Sequence, residues 1–161
     1  MIKGRKNSLR LPQYDYSSDG AYFITVCVKD RKQLLSQIVG GDDHIAPKVE
    51  LTQIGLKVQK YLDQIRGIDK YVIMPNHIHL IIIQNKLGSM WSSTPTNIPN
   101  IIRSFKTLVT KELGFSIWQT GYYDHIIRNE EDYLIKAQYI DNNPAKWQYD
   151  KYYSEPKEVK Q

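Results

Sequence analysis

An α/β or α+β domain is what this 161-residue chain predicts, and three observations predict it. Segments rich in β-branched and aromatic residues interleave with segments whose apolar residues recur at helical spacing. Capping residues stand where the helices should begin. No internal repeat or linker divides the chain, so residues 1–161 are expected to form a single domain, a size able to bury a substantial core.

The elements follow in order. Ala21 to Val28 (AYFITVCV) reads as a strand, and Gly40-Gly41-Asp42-Asp43 marks a turn in the loop after it. Thr52 is a good N-cap, and Ile54, Val58, Leu62 and Ile65 recur at helical spacing up to Gly67. Tyr71 to Ile83 reads as two strand halves around Pro75. The second half is apolar on both faces, as in a central strand covered on both sides. Ser89 to Pro99, rich in Ser, Thr and Pro, reads as a mobile loop. Pro99 suits the first turn of a second helix and Gly114 suits its end. Ile101, Ile102, Phe105, Leu108, Val109 and Leu113 form its apolar stripe, with Arg103, Lys106 and Lys111 on the more exposed side. Ser116 to Ile127, which holds Trp118 and His125, reads as extended or irregular. The last helix should start from Asn129, with Glu130, Glu131 and Asp132 in the first turn, where the helix dipole favours acids. It should stop at Asn143, because Pro144 disfavours helical geometry in the residue before it. Residues 154–161 read as a frayed, charged tail.

Composition narrows the class. The 41% hydrophobic and 24% charged residues are ordinary for a globular protein. The single cysteine, Cys27, cannot form an internal disulfide, and the charged start Met1–Lys6 has no apolar stretch behind it. The longest apolar run, Leu80 to Ile83, is too short to span a bilayer. The expectation is a cytoplasmic, nucleoid-associated protein with no membrane partner. A net charge of +5 and a pI near 9.1 permit a polyanionic partner. Lys3, Arg5, Lys6 and Arg10 form a basic arm over residues 1–12, readable either as solvated chain or as a phosphate-contacting element. Twelve tyrosines favour the second reading, since ring faces stack on unpaired bases.

The sharpest chemical signal is Met74-Pro75-Asn76-His77-Ile78-His79-Leu80. Side chains alternate along a strand, so His77 and His79 share a face and can ligate one ion. A hydrogen-bonded, metal-free pair is the alternative. The second signal is Gln138-Tyr139-Ile140-Asp141-Asn142-Asn143-Pro144, in which Tyr139 and Asn143 lie four residues apart on one helix face. A phenol beside a carboxamide oxygen suits a nucleophile beside a ligand, yet a mid-helix tyrosine also suits a core position.

Six segments in order resemble the REP-associated tyrosine transposases, within the wider His-hydrophobic-His (HUH) single-strand transposases with one catalytic tyrosine. They are Arg10-Leu11-Pro12-x-Tyr14-Asp15-Tyr16, Gly20-x-Tyr22-Phe23-Ile24-Thr25, MPNHIH, Ile117-Trp118-Gln119, Tyr123 to Glu130, and Tyr139-Ile140-x-x-Asn143-Pro144; Phe105-Lys106 also matches. The resemblance implies an α+β, ferredoxin-like and Rep-nuclease-like fold, a central antiparallel sheet flanked by helices. It implies that His77, His79 and Asn143 bind Mg²⁺ or Mn²⁺ and that Tyr139 is the catalytic nucleophile. The implied activity is transposition-type DNA recombination: an endonuclease and strand transferase that forms a 5′-phosphotyrosine on single-stranded or hairpin DNA, with palindromic repeats as partners. Arg103 and Lys106 join the basic arm as DNA-binding candidates, and His125 is an accessory candidate. The protein should act as a monomer or a homodimer. A catalytically silent hairpin-binding regulator with the same fold is the alternative.

Overall fold

A computed structural model describes residues 20–42, 44–84 and 97–155. The basic arm with Lys3, Arg5, Lys6 and Arg10, residue 43, the loop residues 89–96 and the tail residues 156–161 lie outside the described residues.

Four strands form one antiparallel sheet: β1 (Gly20–Cys27), β4 (Ile68–Ile73), β5 (His77–Gln84) and β6 (Tyr123–Ile127), in the order β4-β5-β1-β6. Helix α1 (Gln53–Leu62) links β1 to β4, and α2 (Ile98–Leu113) links β5 to β6. A strand–helix–strand–strand–helix–strand path with that order is the ferredoxin-like arrangement expected above. A third helix, α3 (Glu130–Asn142), follows β6.

Strand parity decides which side each helix covers. Ile24, Val26, Ile78, Leu80 and Ile82 point to one face and share a core with Ile102, Phe105 and Val109 of α2 and with Val58 and Leu62 of α1. Ile78, Leu80 and Ile82 are fully buried, each worth about 1.5–3 kcal/mol of transfer free energy. The opposite face packs Phe23, Ile81 and Ile127 against Ala137 and Ile140 of α3.

The caps hold where the sequence placed them. Thr52 and Asn129 accept hydrogen bonds from the backbone N–H groups of Gly55 and Asp132, and Gly114 ends α2 with a φ of 82°; Asn97, which the pattern did not single out, caps α2 by accepting from the Asn100 N–H. Four readings change. The loop after β1 contains a hairpin, β2 (Ser36–Val39) with β3 (Lys48–Leu51), whose four-residue strands mix polar and apolar residues too evenly to stand out. Helix α1 ends at Leu62 rather than near Gly67; Ile65 keeps helical spacing because it reaches the core from the turn that follows. Leu108 is 41% exposed and falls outside the stripe of α2. Most consequentially, Pro144 does not push Asn143 out of helical geometry. Asn143 keeps φ −59° and ψ −44°, and Pro144 opens a 3-10 helix, Pro144–Tyr149, in whose first turn its missing N–H costs nothing. The chain beyond is tied down as far as Ser154, which donates to the Arg31 carbonyl.

Candidate metal and tyrosine site

His77 and His79 project from β5 toward α3 and are 0% and 1% exposed. Their ring centroids are 4.5 Å apart. Each Nδ1 has a partner: Asn76 Oδ1 at 2.8 Å for His77, and Thr25 Oγ1 at 2.7 Å for His79. Thr25 is the residue opposite His79 in the β1–β5 register, so strand pairing itself sets that contact. Asn76 is anchored in turn, donating from Nδ2 to the Tyr152 carbonyl at 2.7 Å. With Nδ1 donating, each ring turns a bare Nε2 into the space between strand and helix, and both Nε2 atoms are buried without a hydrogen-bond partner. Orientation by a neighbour on the other ring nitrogen is how ligand histidines are usually held.

The terminal helix supplies the rest. Asn143, 3% exposed at the end of α3, donates from Nδ2 to Asp150 Oδ2 at 3.0 Å, and its Oδ1 is buried with no partner. The 3-10 turn after Pro144 brings Asp150 back, with Oδ2 3.7 Å from His77 Nε2. Ligand atoms of His77, His79 and Asp150 lie within 4.8 Å of one another. Burial drives the His77 pKa down to about 4, and the Asp150 carboxylate only partly opposes it. Burial, then the charge of His77, holds His79 well below its ordinary value. Both rings are therefore neutral near pH 7, so the 3.7 Å approach is no ion pair but a gap between two acceptors. The two unpartnered imidazole nitrogens and the Asp150 carboxylate beside them are a donor set compatible with a divalent cation.

Tyr139 lies one turn before Asn143 on α3. Its ring centroid is 5.1 Å from that of His79 and 6.0 Å from that of Phe23, and 38% of the residue stays open to solvent. Burial and then the Asp150 charge raise its pKa, while a hydrogen bond to Asn143 works the other way. Tyr122 is buried in the core on the other face, and the Tyr133 hydroxyl donates to Asp69. Neither faces the histidines.

The remaining sequence candidates fall elsewhere. His125 is exposed on β6, with Nε2 2.7 Å from Asp132 Oδ2, outside the metal cluster. Arg103 and Lys106 lie on α2, which covers the face away from the histidines. Arg103 is exposed, whereas Lys106 Nζ donates to the carbonyls of Gln119 (2.9 Å) and Gly121, pinning the segment before β6. Asp150, Arg31, Lys136 and Lys151 had no signal in the pattern. For Asp150 the usable clue was Trp147, an aromatic only four residues past Asn143; it is buried 6.0 Å from His77 and shows that the chain turns back after Pro144.

No family model matches the chain. An uncharacterized protein of Haemophilus influenzae is 35% identical, over 92% of this chain and 93% of its own length. The REP-associated tyrosine transposase of Escherichia coli K12 is 28% identical, over 81% of this chain and 70% of its own. A solved structure of a REP-associated tyrosine transposase bound to a REP hairpin superposes with a TM-score of 0.59 at 23% identity, covering 89% of this chain and 77% of that one. By these relatives the chain is similar to the REP-associated tyrosine transposases. Likeness to the solved member supports the ferredoxin-like sheet with its flanking helices. Among the described residues, no helix is long and apolar enough to cross a membrane.

Proposed function

We propose that this protein is a metal-dependent endonuclease and strand transferase for single-stranded DNA, acting at hairpin-forming repeats through a 5′-phosphotyrosine on Tyr139. One observation carries the reading: a half-exposed phenol lies against two buried imidazoles whose Nε2 atoms, with the Asn143 carboxamide oxygen, have no partner. The names of the relatives add the hairpin and the repeat.

In this reading His77, His79 and Asn143 hold Mg²⁺ or Mn²⁺. When bound, the ion supplies positive charge that polarises the scissile phosphate and steadies the leaving oxygen. The chain supplies position. Asn76 and Thr25 fix the two rings, and α3 carries Tyr139 to the rim of the same pocket. The raised pKa keeps the phenol protonated at rest, so the hydroxyl waits as a weak nucleophile until substrate and cation are in place. Its oxygen then attacks phosphorus, the bond from phosphorus to the 3′ oxygen breaks, and the phenolic proton ends on the departing 3′-hydroxyl. The new phosphotyrosine conserves the phosphodiester for rejoining without a nucleotide cofactor. Histidines and tyrosine come from one chain, so one copy holds a whole site.

The test is a labelled hairpin oligonucleotide incubated with Mn²⁺. Wild-type protein is expected to give an adduct that survives denaturation. Tyr139→Phe is expected to reduce it to background while binding persists. An undiminished adduct from that variant would reject the assignment.

A further inference from the structure

Two hollows open beside the histidine pair. One, of about 380 Å³, is bounded by Phe23, Arg31, Tyr123, Lys136, Lys151 and Tyr152 among others. The other, of about 680 Å³, shares Arg31, Tyr123 and Tyr152 with it and adds Lys29 and Trp118. The shared walls make one trough. It adjoins the candidate metal site through three residues: Thr25 bonds to His79, the Phe23 ring stacks on His79 at 5.2 Å, and the Tyr152 ring lies 4.6 Å from that of His77. Lys136 Nζ is 5.2 Å from the Phe23 ring and Lys151 Nζ is 5.1 Å from the Tyr152 ring. Positive charge and aromatic surface are therefore interleaved along the trough, with Asp30 and Asp124 the acidic residues in its walls, a combination that grooves for unpaired nucleic acid use.

Arg31 is held there against its own backbone preference. Asp30 (φ 58°) and Arg31 (φ 55°) are consecutive non-glycine residues in the left-handed region, a conformation that persists only where the surroundings over-determine it. The surroundings do so here. The Arg31 carbonyl accepts from Ser154 Oγ at 3.0 Å and from Asn76 Nδ2 at 3.4 Å, and Asn76 is the residue that orients His77. Glycine would suit this backbone better. What arginine adds is an exposed guanidinium on the wall common to both hollows.

We infer that this trough is the track for the unpaired strand flanking the scissile phosphate, with Arg31 clamping a backbone phosphate and Tyr123 and Tyr152 offering ring faces to neighbouring bases. The inference rests on the DNA-cleaving reading above and adds to it the surface that binds the unpaired strand.

The experiment is equilibrium binding of a short, labelled oligothymidylate to the full chain without divalent metal, beside thermal melting of the same samples. Arg31→Gly is expected to weaken binding about tenfold and to lower the slope of log K against log salt by about 0.7, the value for one lost contact to a single strand. It is also expected to raise Tm by a few degrees, because glycine relieves the left-handed strain. Tyr123→Leu should weaken binding about tenfold with the salt slope unchanged, as loss of a stacking face does. Wild-type affinity and slope in Arg31→Gly would overturn the track, and so would a fall in its Tm, which would make the arginine a structural residue. Adduct formation separates the two readings. A normal wild-type adduct with unaltered Arg31→Gly binding defeats the track alone. No adduct with weakened Arg31→Gly binding defeats the cleavage chemistry and leaves the track.

Discussion

The two faces of β5 differ by one residue of register and by everything else. Ile78, Leu80 and Ile82 fill a closed apolar core with α1 and α2. His77 and His79, their immediate neighbours, face α3 across a gap that keeps three polar atoms without partners. Among the described residues, a smaller buried apolar cluster of Phe23, Ile81, Ile127, Ala137 and Ile140 lies on that second side. One face therefore holds the fold, and the other gives up stability to hold unsatisfied acceptors. Such a division lets a small domain keep a reactive centre without melting.

Neighbouring substitutions should break this symmetry most visibly. Leu80→Ala, on the closed face, should cost about 2–5 kcal/mol in denaturant unfolding, the range for a buried leucine that leaves a cavity. His79→Leu, one residue away, should instead leave the metal-free protein within about 1 kcal/mol of wild type, because losing the unpartnered Nε2 offsets the Thr25 hydroxyl left without its bond. It should also abolish any rise in Tm on adding Mn²⁺. Equal destabilisation by the two changes would mean that the faces are not divided in this way.

Thr25→Val sharpens the contrast at lower cost. The two side chains have nearly the same shape, so folding should survive, but His79 loses the partner on its Nδ1. Mn²⁺ affinity measured calorimetrically should drop about 10- to 100-fold, the usual penalty for removing a residue that orients a ligand. The smallest effect belongs to the frame of the reactive face. Asn129→Ala removes the side-chain cap of α3 and should cost about 1 kcal/mol. Adduct yield should change little, since Tyr139 sits more than two turns further along the helix.

Much of this was legible before any coordinates, for identifiable reasons. The histidine pair shows because strands repeat every two residues, and Tyr139 with Asn143 shows because helices bring positions four apart together. The caps at Thr52 and Asn129 show because short polar side chains compete for backbone donors. Asp150 did not show. Pro144 reads as a stop by local rules, and only tertiary packing of Trp147 and the buried Asn143–Asp150 bond makes the chain continue as a tight turn. Arg31 was equally silent, since a left-handed arginine has no compositional signature and is stabilised by Asn76 and Ser154, which are remote in sequence. The hairpin of β2 and β3 was missed because each strand is half exposed and only four residues long.

The central claim is that one particular phenol does the chemistry, and mapping the covalent product tests it most directly. Wild-type adduct formed with Mn²⁺ on a hairpin oligonucleotide can be digested and its nucleotide-bearing peptide sequenced by mass spectrometry. The expected result is a single phosphonucleotidyl group on Tyr139. A label on Tyr123 or Tyr152, both of which line the neighbouring trough, would contradict the account, as would cleavage with no labelled peptide.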